Sequence, residues 1–333
     1  MTDLRSSILS PDPVLIATNR KNRQNDFTPG ETGEKNICPF CPGNEELTAK
    51  PELFRINSPF NNQQWELRTV PNLYYAIGIE GDSQFSDLEI THTILNAHGA
   101  HNVIIDTPNH NEDFSLFPPW RFLNLFQAIV FQTDDLNRDK NIRFIRFFKN
   151  HLPNAGASLE HSHTQVIALP QIPQRALDRL AKAFEYETKH GVSVFNLLLQ
   201  RVEKDQRVVI KSPHFICQVP YDALFPYEMW IVPLVNHAYF AESKDFFDEL
   251  AIVMAETFRR LKAVSGGSLP ALNCILDEMP ADFYQNANRF YRWRWIIQPR
   301  ITAVSGLQLF DGLFINPLAP ETAAKELREA KID

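Results

Sequence analysis

Short apolar runs alternate along this chain with longer segments in which apolar residues recur every three or four positions. The short runs predict strands and the longer segments predict helices. Predicted helices cover 120–136, 174–190 and 245–261. The predicted strands read PVLIA, VIID, IRFIRFF, TQVIAL, HFICQV, MWIVP, LNCIL and WRWIIQP.

The two halves of the chain contain the same series of elements. NVIIDTPNH is a strand that ends in Asn109-His110, and MWIVPLVNH is a strand that ends in Asn236-His237. A predicted helix and two further strands follow each of them. The short connections of this repeat predict an α+β fold of two similar halves, with antiparallel sheets and helices packed on one face. We expect one half to cover 1–190 and the other to cover 191–333.

Composition narrows the range of functions. The chain has 333 residues, 44% of them hydrophobic, which is enough for one large core or two ordinary ones. A formal net charge of −7 argues against nucleic-acid binding by a broad basic surface. The N-terminal sequence carries no apolar signal segment, and no apolar run approaches membrane-spanning length. We therefore expect a cytoplasmic protein with no membrane contact.

Cys38 and Cys41 lie in CPFCPGNEE with the spacing of a zinc knuckle, although a redox pair uses the same spacing. A second CxxC motif is absent from the sequence, so a complete metal site needs two more ligands. Histidines are the candidates. A Cys2His2 site made with His110 and His161 would be closed to water and therefore structural. His101 is close to His110 in sequence and could take its place.

The stretch LEHSHTQVIALP places His161, His163 and Gln165 at alternate positions of a predicted strand. Alternation would send all three side chains to one face, with roughly 6 to 7 Å between successive Cβ atoms. One histidine can then bind a metal while the next faces a ligand. A neutral imidazole with one protonated nitrogen keeps a lone pair for attack on phosphorus. A pair of hydrogen-bonded strand histidines is the simpler alternative.

Two further segments favour phosphate chemistry. NAGASLEHSH places Ser158 in a loop of small residues, where backbone can approach a phosphate closely. Arg20 and Arg23 follow the first predicted strand, and arginines at a strand exit suit phosphate binding. Simple surface charge explains these two arginines equally well.

Together, these segments resemble the galactose-1-phosphate uridylyltransferase family of the histidine-triad superfamily. The matching segments occur in the family's order over nearly the whole chain: LIATNRKNR, CPFCPGNEE, RTVPNLYYA, VIIDTPNH, FKNHLPNAGASLEHSHTQ, PYEMWIVPLVNH and INPLAPETAAKELR. The joint pattern is far more specific than any one motif. The resemblance implies two histidine-triad-like halves, the first with the zinc site and the catalytic His-x-His and the second without it, usually assembled as a homodimer.

The resemblance also implies roles for individual residues. His163 matches the histidine that becomes nucleotidylated, with Gln165 and Ser158 as phosphate contacts. The residues that match the Zn2+ ligands are Cys38, Cys41, His110 and His161. The residues that match substrate contacts are Arg20 and Arg23 near the sugar phosphate, Asn72 and Asn150 around the nucleotide, and Phe40 and Val103 near the base.

The implied reaction is a double displacement. A nucleotide sugar would give a nucleotidyl-histidine and a sugar 1-phosphate, and a second phosphate acceptor would then take the nucleotide. Leu73 and Tyr74 depart from the uridylyltransferase pattern, and so do Gly306, Asp311 and Gly312 in the segment that binds hexose in that family. The second half carries Arg294 where the family has a metal site.

These departures resemble an ADP-glucose phosphorylase branch of the family. The sequence therefore leaves the nucleobase, the hexose and the acceptor open. A phosphorylase that uses inorganic phosphate, with ADP-glucose or a dinucleoside polyphosphate as donor, is the main alternative. A non-catalytic, zinc-stabilised nucleotide-binding protein is a further one.

Overall fold

A computed structural model of the chain describes residues 3–7, 10–17, 37–61, 64–81, 85–89, 92–280 and 286–332. The helices are α1 (Pro119–Leu136), α2 (Gln174–His190), α3 (Val194–Lys204), α4 (Phe247–Val264), α5 (Gly306–Asp311) and α6 (Pro320–Glu329). The strands are β1 (Asp3–Ser7), β2 (Ser10–Ile16), β3 (Phe54–Asn57), β4 (Trp65–Pro71), β5 (Phe85–Glu89), β6 (His92–Asn96), β7 (Ala100–Ile105), β8 (Phe144–His151), β9 (His163–Leu169), β10 (Val208–Lys211), β11 (Phe215–Gln218), β12 (Met229–Pro233), β13 (Leu272–Asp277) and β14 (Arg294–Pro299).

The long helices form where the apolar periodicity predicts them. Pro119 begins α1, a position where proline's fixed φ suits the helix and its missing N–H is not needed. Gly191 ends α2 with a φ of +69°, the left-handed cap that glycine adopts without strain. The predicted helix 245–261 is shifted, because a 3₁₀ helix occupies Phe240–Phe246 and α4 begins only at Phe247.

One ten-stranded sheet runs through the chain in the order β10-β11-β12-β14-β13-β8-β9-β7-β4-β3. Its neighbouring strands pair antiparallel. Each half supplies five strands in the same order, and β8 and β13 pair at the junction, where Phe148 lies opposite Ile275. This arrangement confirms the predicted repeat and the α+β class. The boundary after residue 190 stays a prediction, because one sheet is shared by both halves.

The main hydrophobic core lies on the face of this sheet covered by α1, α4 and α6. Phe126 of α1, Phe258 of α4 and Leu327 of α6 are buried in it, together with Phe147 and Val166 from the sheet. Alternation along β9 directs Val166 and Ala168 into this core, so His163 and Gln165 point to the opposite face. The candidate site residues of β9 therefore lie on the face of the sheet opposite the main core.

Two smaller structures complete the fold. A separate sheet pairs four strands in the order β2-β1-β6-β5. Helices α2 and α3 enclose a cluster in which Leu180 and Phe195 pack with Phe290 and Tyr291. Among the helices of the described ranges, we find none with the length and apolar character required to cross a lipid bilayer.

Candidate active site

Two cysteines and two histidines from distant parts of the chain meet beside the N-terminal end of β9. The Nδ1 atom of His161 lies 3.6 Å from the Sγ atoms of both Cys38 and Cys41, and His110 Nδ1 lies 3.4 Å from Cys41 Sγ. One ligand atom from each of the four residues lies within 4.8 Å of all the others. Cys2His2 is a donor set that suits a closed, four-coordinate metal site.

A hydrogen bond orients the His161 ring toward the two cysteines. His161 Nε2 donates to the Thr107 carbonyl over 2.8 Å, which leaves the Nδ1 lone pair directed at the two sulfurs. Burial lowers the pKa of His161 to about 4, so its imidazole is neutral and able to bind a metal ion. Burial also raises the pKa of the Cys38 thiol to about 12, so a bound cation would displace its proton.

The structure decides between the two histidines that the sequence left open. His110 lies with the cysteines, whereas His101 lies on β7 with its Nε2 atom 3.0 Å from Oε1 of Gln165. His101 is therefore not part of the Cys2His2 group. Strand β9 begins at His163, so the predicted alternation applies to His163 and Gln165. His161 precedes the strand, and its ring lies beside the two cysteines.

His163 is held in one tautomer. Its Nδ1–H donates to the carbonyl oxygen of His161 over 2.8 Å, so the lone pair of the neutral ring is on Nε2. Burial lowers the pKa of His163 to about 4, although the hydrogen bond to the His161 carbonyl opposes that shift. The ring of Phe40 packs edge-on against it, with 5.4 Å between ring centroids. A buried, neutral imidazole with an oriented lone pair is a competent nucleophile.

A cavity of about 270 Å³ opens in front of His163. Six of the predicted site residues line it: Phe40, Asn72, Val103, Ser158, His163 and Gln165. The rest of the lining is mainly apolar, with Ile37, Leu47, Val70 and Leu159 among its members. This lining combines apolar side chains, which suit a planar ring, with polar side chains that can meet a phosphate.

The remaining predicted residues lie elsewhere. Asn150 lines a second cavity of about 140 Å³, which also reaches His163 and so adjoins the first one. Its Oδ1 atom accepts a hydrogen bond of 2.8 Å from Asn273 of the second half. Arg20 and Arg23 lie outside the described residues.

Comparisons with known proteins agree with this geometry. A family model described as the N-terminal domain of a domain of unknown function (DUF4931) matches residues 77–172. ADP-glucose phosphorylase of Arabidopsis thaliana is 28% identical over 99% of this chain and 93% of its own length. Galactose-1-phosphate uridylyltransferase of Thermotoga maritima is 25% identical over 100% of both chains.

Solved structures show the same relationship. The crystal structure of the Arabidopsis thaliana ADP-glucose phosphorylase with bound ADP-glucose matches with a TM-score of 0.78 and 26% identity, over 98% of this chain and 100% of that one. The chain is a relative of the galactose-1-phosphate uridylyltransferases and of ADP-glucose phosphorylase. A uridylyltransferase structure, 21% identical, has the same fold with a TM-score of 0.79 over 98% of this chain and 97% of its own.

A buried ion pair between Lys149 and Asp106 lies beside His163. Lys149 Nζ contacts the carboxylate of Asp106 and donates to Ser162 Oγ over 2.8 Å and to the His163 carbonyl over 3.1 Å. Lys149 of β8 thereby joins the residue that follows β7 to the start of β9, directly beside His163. This network was not predicted, although a lysine inside the apolar run IRFIRFFKN is a signal for it.

The second half of the chain carries arginines at the positions that correspond to His161 and His163 of the first half. Strand β14 begins at Arg294 as β9 begins at His163. Arg292 occupies the position that corresponds to His161, and it donates to the carbonyls of Pro233 over 2.7 Å and Val235 over 3.0 Å. Arg292 also contacts the side chain oxygens of Asn196 and Asn236.

Arg294 binds the buried carboxylate of Asp277 at 2.9 Å. Arg146 at 2.9 Å and Arg179 at 3.5 Å bind the same carboxylate. Burial alone would raise the pKa of Asp277, but the three arginines outweigh it and hold that pKa well below its usual range. The repeated position is therefore filled by ion pairs, and the first half alone brings a Cys2His2 group and an oriented imidazole together among the described residues.

Proposed function

We propose that this chain is a nucleotidyltransferase that moves a nucleoside monophosphate from a nucleotide sugar to a hexose 1-phosphate through a nucleotidyl intermediate on His163. The tautomer of His163 is the observation that carries this proposal. Its proton is on Nδ1, bound to the His161 carbonyl, and its Nε2 lone pair lies beside a cavity shared with Ser158 and Gln165. A protein that only bound nucleotides would not require an oriented nucleophile there.

In the first step, His163 Nε2 attacks the α-phosphorus. The bond from that phosphorus to the bridging oxygen breaks, and the sugar 1-phosphate leaves with the electron pair. The hydrogen bond from Nδ1–H to the His161 carbonyl stabilises the positive charge that the ring acquires. Ser158 and Gln165 meet nonbridging oxygens.

In the second step, a phosphate oxygen of the acceptor attacks the same phosphorus, and neutral imidazole is the leaving group. Donor and acceptor resemble each other, so one cavity can receive both in turn.

We propose Zn2+ as the metal held by Cys38, Cys41, His110 and His161. Four protein ligands leave no open position, so the ion supplies structural rather than Lewis-acid chemistry. It would fix the turn before β9, and with it the carbonyl group that orients His163.

Transfer to inorganic phosphate is the second candidate. ADP-glucose phosphorylase is 28% identical over 99% of this chain, and a solved relative with that activity contains bound ADP-glucose. The chemistry at His163 is the same for both candidates, and they differ in the nucleobase and in the acceptor. The chain offers the same first step to UDP-glucose, UDP-galactose or ADP-glucose.

We also propose that two copies of the chain form a homodimer. Apolar side chains are exposed along the segment 301–315: Ile301, Leu307, Leu309, Phe310, Leu313 and Ile315. Phe310 is 91% exposed, and several large apolar side chains exposed within one short segment are typical of a covered interface. Sedimentation of the purified chain tests this, since a monomer at micromolar concentration would refute it. The cytoplasmic location stays a prediction from the sequence.

Intact-mass spectrometry tests the proposed reaction. The protein is mixed separately with UDP-glucose, UDP-galactose and ADP-glucose, quenched rapidly in base and weighed. We expect a covalent adduct from at least one donor, and the added mass identifies the nucleotide. Chasing that adduct with a hexose 1-phosphate or with inorganic phosphate identifies the acceptor.

Two variants make the test specific. His163→Ala should fold, retain its metal and form no adduct. His214→Ala, which removes a histidine from the second half, should form the adduct at the wild-type rate. Turnover by the wild type without an adduct, together with activity of His163→Ala, would refute the double displacement.

A further inference from the structure

We propose that His101 is a positioning residue, which fixes the Gln165 amide so that its NH2 group faces the reacting phosphate. This inference rests on the proposed function and deepens it. His101 is buried on β7, where its strand neighbour Val103 lies opposite Gln165 on β9. Its ring therefore reaches Gln165 diagonally across the two strands on the face that carries His163.

A backbone contact determines the tautomer of His101. The N–H of Ala76 donates to His101 Nδ1 over 3.0 Å, so Nδ1 holds a lone pair. The proton of the neutral ring is then on Nε2. In a doubly protonated ring, the Nδ1–H group would point at the Ala76 N–H group. The Ala76 contact therefore also favours the neutral ring.

The Nε2–H group of His101 has a suitable acceptor in Gln165. Gln165 Oε1 lies 3.0 Å from Nε2, and both side chains are buried. The Asn72 amide nitrogen also lies 3.2 Å from Nε2, but it is a donor, because Asn72 Oδ1 accepts from the Tyr74 N–H over 2.9 Å. The His101 proton therefore goes to the Gln165 oxygen.

This bond determines which end of the Gln165 amide faces the cavity. With Oε1 bound to His101, the NH2 group is the end available to a nonbridging phosphate oxygen. The reverse orientation would place the amide oxygen against that phosphate and an N–H group against Nε2–H. His101 thus selects the orientation that stabilises negative charge developing at phosphorus.

Rapid-quench measurement of adduct formation on His163 tests the role of His101. His101→Phe keeps a planar ring and removes the donor. We expect its rate of adduct formation to fall about 10- to 100-fold, below the 10²- to 10³-fold loss typical when a donor is removed outright. The nucleotide-sugar concentration that gives half the maximal rate should change less than threefold. His101→Gln, which can place an amide donor near the same point, should recover part of the rate.

A double-mutant cycle separates positioning from general damage. In a Gln165→Ala background, His101→Phe should lower the rate less than twofold, because there is no amide left to orient. Equal losses in the two backgrounds would overturn the inference, and so would a wild-type rate for His101→Phe. The variant should retain its metal, whereas loss of metal from His101→Phe would overturn the assignment of this residue to Gln165. If the wild type itself forms no adduct, the proposed function fails instead.

Discussion

Replacing Lys149 by Met should destabilise the protein strongly. The Lys149 side chain is buried, and its ammonium group contacts Asp106, Ser162 and the His163 carbonyl. Asp106 is only 2% exposed, and its Oδ1 atom has no hydrogen-bond partner among the described residues. Methionine fills most of the lysine volume, so the change removes the charge and leaves the packing nearly intact.

The expected magnitude follows from the burial of Asp106. Removing one member of a buried ion pair leaves an uncompensated charge and typically costs about 3–5 kcal/mol of the unfolding free energy. With an unfolding entropy of about 2.1 cal/mol/K per residue, the melting temperature of a chain of this length should fall by roughly 4–7 °C. A carboxylate that accepts only from Ser162 Oγ, 3.1 Å away, cannot replace that interaction.

Urea denaturation at constant pH measures the effect, and Lys211→Met provides the control. Lys211 also pairs with a carboxylate, that of Glu203, but both side chains are about half exposed. The control should lose at most about 1 kcal/mol. Adding Asp106→Asn to Lys149→Met should restore part of the stability, because the unpaired charge is gone. If Lys149→Met loses no more than Lys211→Met, the buried charge is not what makes Lys149 important.

Cys38→Ser should lower the zinc content measured by elemental analysis, together with the melting temperature; folded wild-type protein that contains no zinc would contradict this. Arg20→Ala or Arg23→Ala should lower kcat/KM by about 10- to 1000-fold, the range expected when a charged phosphate contact is lost. Unchanged kinetics in both would assign these arginines to surface charge. The folded-state pKa of Asp277 lies below its ordinary value of 3.8, so its carboxylate stabilises the fold above that pH and loses this contribution as the pH falls toward the folded-state pKa. Unfolding free energies measured at pH 6 and pH 3 should therefore differ more in wild type than in Asp277→Asn.

Local sequence signals predicted the chemical groups of the site better than the elements that surround them. The periodicity of β9 placed His163 and Gln165 on one face, because a strand alternates regardless of its neighbours. The spacing of Cys38 and Cys41 indicated a metal site for the same local reason. The sequence could not choose between His101 and His110, since that choice depends on where β7 ends relative to the cysteine turn.

Several strands and helices were not predicted. Strands β3 and β4 were missed, although β4 contributes Val70 to the wall of the cavity. Helix α3 was also missed, although its sequence VFNLLLQRVEK carries apolar residues at helical spacing, and Phe195 on its buried face lies in one cluster with Phe290. The orientation of Gln165 depends on a backbone N–H at Ala76, so no pattern within either strand reveals it.

The junction between β8 and β13 affects how the chain could be divided. A cut in the connection between α3 and β10 would leave each fragment with an open edge strand of unpaired backbone groups. We expect either fragment to aggregate alone and the two to reassemble when they are produced together. Strand β9 is the neighbour of β8, so transfer through His163 would report on that reassembly. The chain is thus a natural candidate for a split enzyme, in which fragment association restores catalysis.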